Sequence, residues 1–113
     1  MFKLADEMVL RIYEVTKGFP REELYGLVSQ MRRSAVSVPT NIVEGYGRES
    51  DADRNRFLDI AFFSHRELGY LIGSTQGLGY LEEESEAELD MLQGRVAAAL
   101  AALRRSQKTS GAK

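Results

Sequence analysis

The sequence predicts an all-α protein, an antiparallel up-down-up-down four-helix bundle built as one domain. Three observations carry that prediction. Apolar residues recur at spacings of three and four almost throughout, and no stretch alternates with period two. Four such stretches are separated by short breaks rich in glycine, proline or capping residues. Finally, 113 residues that are 43% apolar can bury one core without disulfide staples, and the chain has no cysteine to make one. The domain covers residues 1–105. Residues 106–113 are small and polar with no stripe, and a flexible C-terminal tail is expected there.

The first helix carries Leu4, Met8, Ile12, Val15 and Phe19 on one face, with Asp6, Glu7, Arg11, Glu14 and Lys17 elsewhere on the wheel. Gly18 and Pro20 supply its stop. Glu22 and Glu23 open the second helix, where the dipole favours negative charge. Leu24, Leu27, Val28, Met31, Ala35, Val38 and Ile42 form its stripe, which keeps phase across Pro39. A proline removes one backbone hydrogen bond and crowds the preceding turn, so one helix kinked at Pro39 is expected.

Residues Glu44 to Glu49 read as the connection, and Ser50 with Asp53 as the N-cap of the third helix. There Phe57, Ala61, Ser64, Leu68, Leu71, Thr75 and Leu78 trace one face, while Leu58, Ile60, Phe62, Phe63, Tyr70 and Ile72 put apolar groups on other sides. Such a helix is either central or turned toward another subunit. Gly77 and Gly79 end it. The last helix opens among acids and carries Leu89, Leu92, Val96, Ala99 and Leu103, with Arg104 and Arg105 suited to its C-terminal end.

Composition narrows the function. Net charge is −2, so the chain lacks the excess of Lys and Arg that marks a strongly basic nucleic-acid binder. The distribution is uneven: residues 67–103 hold Arg95 against seven acids, and residues 104–113 hold four bases and no acid. With His65 the only histidine and no cysteine, a thiolate or His-rich metal site within one chain is excluded, as is a His-based triad. No cofactor is expected. No apolar run approaches membrane-spanning length, and charge follows Met1 too early for a signal peptide, so a cytoplasmic protein with no membrane partner is expected.

Four features have a functional reading beside a structural one. Gly45-Tyr46-Gly47 lacks a preceding strand and a Walker lysine, so a turn between helices accounts for it better than a phosphate loop. His65 reads as a structural or interface histidine. Gly69, Gly73 and Gly77, four residues apart, form a ridge that another backbone could approach. On the second helix Gln30, Arg33, Ser37, Thr40, Asn41 and Glu44 form a face of short polar groups, suited either to close contact with a partner or to solvating carbonyls freed by Pro39. Arg32, Arg33, Arg48, Arg54 and Arg56 gather at the corner between helices two and three and suit phosphate contacts. The interleaved Glu44, Glu49, Asp51 and Asp53 offer these arginines ordinary surface pairs instead.

The runs Leu24-Tyr25-Gly26-Leu27 and Gln30-Met31-Arg32-Arg33-Ser34-Ala35-Val36-Ser37-Val38-Pro39-Thr40-Asn41-Ile42-Val43-Glu44-Gly45-Tyr46-Gly47-Arg48 resemble the four-helix-bundle proteins encoded in 23S rRNA intervening sequences. So do Ile12-Tyr13 with Thr16 and Phe19-Pro20, and downstream Arg56-Phe57-Leu58, Ile60-Ala61, Glu67-Leu68 and Leu78-Gly79-Tyr80-Leu81. The resemblance extends to about Leu103. Val43 stands where the family has Ala, the family's apolar-aromatic stretch before helix one is missing, and Phe63-Ser64-His65-Arg66 departs from its pattern.

The resemblance implies a homo-oligomer, a pentameric ring, and kinship with the accessory variability protein of diversity-generating retroelements. It implies no enzymatic activity. Two functional readings follow. In one, a non-catalytic oligomer presents Arg32, Arg33, Arg48, Arg54 and Arg56 to RNA or DNA. In the other, an oligomeric scaffold docks a protein partner or its own copies through Ser37, Asn41 and Glu44 on helix two, or Ile60, Phe63 and Tyr70 on helix three.

Overall fold

Each helix forms where its apolar stripe allows it, with one exception near Leu24. In the computed structural model, which describes residues 2–111 and side chains from 3 to 107, α1 spans Phe2–Thr16. It buries Ala5, Met8 and Ile12 along the expected stripe. The buried Thr16 hydroxyl donates back to the Ile12 carbonyl one turn earlier at 2.6 Å, which satisfies the hydroxyl inside the core. The chain then turns through Gly18 to Pro20. Phe19 is buried there, its ring centroid 5.3 Å from that of Tyr80.

The stripe predicted one continuous helix from Leu24, and the structure corrects that. A 3-10 turn at Arg21–Glu23 and a π-helical segment at Leu24–Val28 precede α2, which spans Ser29–Tyr46. A π turn takes in more residues than an α turn, so the phase of the stripe slips within it. Leu24 is consequently 45% exposed and Tyr25 92% exposed, and of this segment only Val28 is buried. From Met31 onward the phase holds, and Met31, Ala35, Val38 and Ile42 are all buried. Pro39 lies inside α2 without dividing it.

The α2 helix also runs further than its glycines suggested, so Gly45 and Tyr46 belong to its last turn and the connection is only residues 47–50. Gly45 is where α3 comes close: a Cβ there would lie 3.2 Å from Phe57 Cβ and 3.4 Å from the Arg54 carbonyl oxygen. Ser50 caps α3 (Asp51–Gly77) as expected, its Oγ accepting from the Asp53 N–H at 3.1 Å. Buried on α3 are Leu58, Ala61, His65, Leu68, Leu71, Ile72 and Thr75. That set joins the face read from the sequence with Leu58 and Ile72 of its second apolar set, because α3 packs against both α2 and α4. Leu78 falls outside it, exposed as the C-cap.

The end of α3 is a Schellman turn. The Tyr80 N–H reaches the Thr75 carbonyl at 3.0 Å and the Gly79 N–H reaches Gln76 at 3.1 Å. Gly79 takes the left-handed conformation at φ 74°, which favours glycine there. The last helix, α4, spans Glu83–Gly111 and buries Leu89, Leu92, Val96 and Leu100. It continues past Arg105, beyond the end of its apolar stripe, so the expected tail at 106–113 begins within helix. Arg104 reaches across to Asp59 of α3 at 2.9 Å rather than serving only the helix terminus.

The four helices pack as a bundle, with α2 against α3, α3 against α4, and α1 against both α2 and α4. Specific pairs fix the register. Ser34 meets Glu67 and Ser37 meets Ser64, both at 2.8 Å, so numbers rise along α3 as they fall along α2. Between α1 and α4 the tie is a close ion pair, Arg11 with Glu88.

Candidate functional site

Two candidate surfaces meet on α2, and the arginine corner is the first. The α2–α3 turn brings Arg48, Arg54 and Arg56 around Phe57, while Arg32 and Arg33 lie farther back along α2. Arg48 and Arg56 each stack on the Phe57 ring, 4.8 Å from its centroid. Arg48 also pairs with Glu44 at 3.1 Å, and Arg56 lies 3.8 Å from Asp53. Arg54 pairs with Asp51 and donates to the Arg48 carbonyl at 2.8 Å, which ties down the turn. Arg32 lies over the Tyr13 ring at 4.6 Å and donates to Thr16 Oγ1 at 3.0 Å, clamping α2 to α1. Of the five, only Arg33 is exposed and without a partner among the described residues. The acids interleaved with these arginines therefore take up most of the charge that phosphate contacts would use.

The second surface is a groove of about 660 Å³ along the outer side of α2 and the π-helical segment. Tyr13, Leu24, Tyr25, Val28 and Val36 supply its apolar walls, and Arg32, Arg33, Ser37, Thr40 and Asn41 its polar groups. Its lining contains two arginines and no carboxylate. The face of short polar residues read from the sequence forms one edge of it. Those groups are largely engaged within the chain: Thr40 Oγ1 donates to the Val36 carbonyl at 2.7 Å, and Asn41 Nδ2 to the Ser37 carbonyl at 2.8 Å and Ser37 Oγ at 2.9 Å. Pro39 lacks the N–H that would reach the Ala35 carbonyl, and these side-chain bonds go to the neighbouring Val36 and Ser37 carbonyls instead. The apolar walls were not singled out from the sequence. Leu24 and Tyr25 look like core and its neighbour as long as α-helical phase is assumed, and the wide turn turns both outward.

The residues proposed on α3 do not line this groove. Ile60, Phe63 and Tyr70 are all exposed, Tyr70 at 76%. The Arg104 guanidinium covers part of this side, 4.0 Å from the Phe62 centroid and 5.8 Å from that of Phe63. Glu44 is on α2, where its carboxylate accepts from Arg48 at 3.1 Å.

His65 serves the bundle. It is buried between α3 and α4, with Nε2 2.9 Å from the Gln93 carbonyl oxygen, while the Gln93 amide donates back to the His65 carbonyl at 3.0 Å. Burial pulls its pKa below the usual histidine value, and the bond to Gln93 opposes part of that. Gly69 makes room for this clamp, since a Cβ there would collide with the Gln93 amide, whose Cδ lies at 3.2 Å. At Gly73 and Gly77 a Cβ would meet nothing within 4 Å, so within the protomer the glycine ridge has a packing role at Gly69 alone. Among the described residues no three His, Asp or Glu side chains are placed to hold a metal ion, and no helix is long and apolar enough to cross a membrane.

The chain is, as a class, a small four-helix bundle with an apolar groove on one helix and most of its corner arginines paired. The family model of the 23S rRNA-intervening sequence protein matches residues 1–102, and the chain belongs to that family. The solved structure of a protein of unknown function from the S23 ribosomal protein family of Bacteroides thetaiotaomicron superposes with a TM-score of 0.83 at 22% identity, covering 92% of this chain and 94% of that one. At that identity the likeness speaks to fold. No curated protein matches the sequence.

Proposed function

We propose that the chain is a non-catalytic building block that assembles with copies of itself, using the groove along α2 as its docking face. A ring of five is the size the family resemblance implies. The observation that carries this reading is the groove itself: Tyr25 is 92% exposed beside Leu24 and Val36, an apolar surface that a lone protomer leaves in water. A docked surface would bury it at roughly 25 cal/mol per Å² of apolar area removed from water. Sedimentation or light scattering from nanomolar to high micromolar protein tests the reading. The weight-average mass should climb to a fixed multiple of the protomer, and Tyr25→Ser with Val36→Ser should hold it at the protomer. A wild-type chain that stays monomeric throughout overturns it.

One observation favours a second reading, that the same surface contacts single-stranded RNA or DNA. Arg33 is unpaired and lies in the same groove as exposed Tyr25, a cation beside a ring on which a base can stack. Filter binding of an oligonucleotide should then weaken steeply with added salt, and Arg33→Ala should flatten that slope by about one phosphate contact. Retention that is absent at low salt, or flat across salt, removes this reading.

A further inference from the structure

The self-association reading leaves open what fills the groove, and the charges that line it point to the answer. The groove is not suited to its own copy. Its lining holds Arg32 and Arg33 and no carboxylate, so groove against groove would bring four guanidinium groups together with nothing to offset them. Its complement must be apolar with carboxylates at the margin. Among the described residues, Leu10 on α1 is exposed among Asp6, Glu7 and Glu14, but Lys3, Arg11 and Lys17 share that helix. The opening turns of α4 combine exposed apolar residues with carboxylates and hold no base before Arg95. Glu84, Ala87 and Met91 follow one another at helical spacing there, and all three are exposed. Met91 is 56% exposed, an unbranched apolar side chain able to adapt to an irregular wall. Glu83 and Glu84 meet no cation among the described residues, in contrast to Glu88, which Arg11 holds.

We propose that the groove of one copy receives the opening turns of α4 from a second copy, with Ala87 and Met91 against the apolar walls and Glu83 and Glu84 facing Arg33. This rests on the self-association reading and deepens it by naming the second surface. It also fixes the type of assembly. Because the two surfaces differ, each copy uses its groove for one neighbour and its α4 for another, which produces a closed ring rather than a two-fold dimer when the rotation closes.

The absence of cysteine allows a direct test. The variant carrying both Val36→Cys and Met91→Cys, oxidised under conditions where the wild type is assembled, should give a ladder of covalent species beyond the dimer. Each single-cysteine variant should stay uncrosslinked. In parallel, Arg33→Glu should lower the association constant at least about tenfold, and Glu83→Arg with Glu84→Arg should do the same. All three changes in one chain should restore it to near the wild-type value. All these positions are exposed, and circular dichroism melts should match the wild type at concentrations where every chain is dissociated. A wild type that assembles but gives no ladder, or assembly insensitive to both charge reversals, overturns this inference and leaves self-association standing. Crosslinking of Val36→Cys alone also overturns it, since grooves would then face each other. A wild type that never assembles overturns both.

Discussion

The two sides of α2 are built from similar residues for opposite ends. Toward α3 the helix presents Ser34, Ser37 and Gly45, and each smallness has a partner: Ser34 donates to Glu67, Ser37 shares a hydrogen bond with Ser64, and Gly45 lies under Phe57. Away from α3 the same helix presents Arg33, Val36 and Thr40 to a groove walled by Tyr25 and Leu24. Small polar side chains are accounted for within the fold. Uncovered apolar side chains are not. Where the chain satisfies itself a residue is structural, and the remainder marks the docking face.

The comparison breaks if the inner side proves as tolerant as the outer one. Met31 is fully buried on α2, and Met31→Ala should cost about 2–5 kcal/mol in a urea melt, the range for emptying a packed site. A smaller loss is expected from Gly45→Leu, about 1–3 kcal/mol, because the added side chain must push α3 away from Phe57 and Arg54. Both losses should appear in the midpoint at unchanged slope, which reads as stability and not as a change in the unfolded state. If either substitution is silent, the close approach of α2 and α3 is not what holds the bundle.

The seam between α3 and α4 sharpens the contrast, since it hides a titratable group. Burial lowers the pKa of His65 in the folded chain below its unfolded value near 6.5. The unfolded state therefore binds the proton first. Stability is complete above the unfolded pKa and falls as pH drops through it toward the folded pKa, at up to about 1.4 kcal/mol per pH unit. Melting temperature against pH checks this, and His65→Gln should flatten the slope between pH values near 6.5 and the onset of carboxylate titration. A wild-type curve level across that window would mean that the histidine is not sealed in the seam.

How much of this was legible in the sequence follows from which signals are local. The stripes of α1 and of α2 from Met31 on, the Ser50 cap and the Gly79 turn are set by neighbours within a few residues, and all are where the pattern put them. What the pattern missed depends on partners far along the chain. The second apolar set on α3 was visible, but that Leu58 and Ile72 are core while Ile60, Phe63 and Tyr70 are exposed depends on where α2 and α4 pack. The arginine corner was visible as composition, but whether Arg48, Arg54 and Arg56 are free depends on where Phe57, Asp51 and Asp53 fold back. The groove was hidden by one assumption, that helical phase holds from Leu24 to Met31. A π-helical turn leaves no fixed residue signature, so the outward swing of Leu24 and Tyr25 could be seen only in three dimensions.

The smallest stability effect belongs to the outer side, and it is the most telling. Tyr25→Ser and Val36→Ser remove side chains on the outer surface, 92% and 38% exposed, so the change in denaturation free energy should be no more than about 0.5 kcal/mol for Tyr25 and about 1 kcal/mol for Val36. The measurement must be made at protein concentrations low enough that wild type and variants are all dissociated. At high concentration the wild type should gain apparent stability that the variants lack, because assembly stabilises whichever state binds. A gap between wild type and variants that opens with concentration is the signature of a face kept for a partner copy. A gap present at every concentration would place Tyr25 and Val36 among the residues that hold the protomer together, and the two sides of α2 would then be alike.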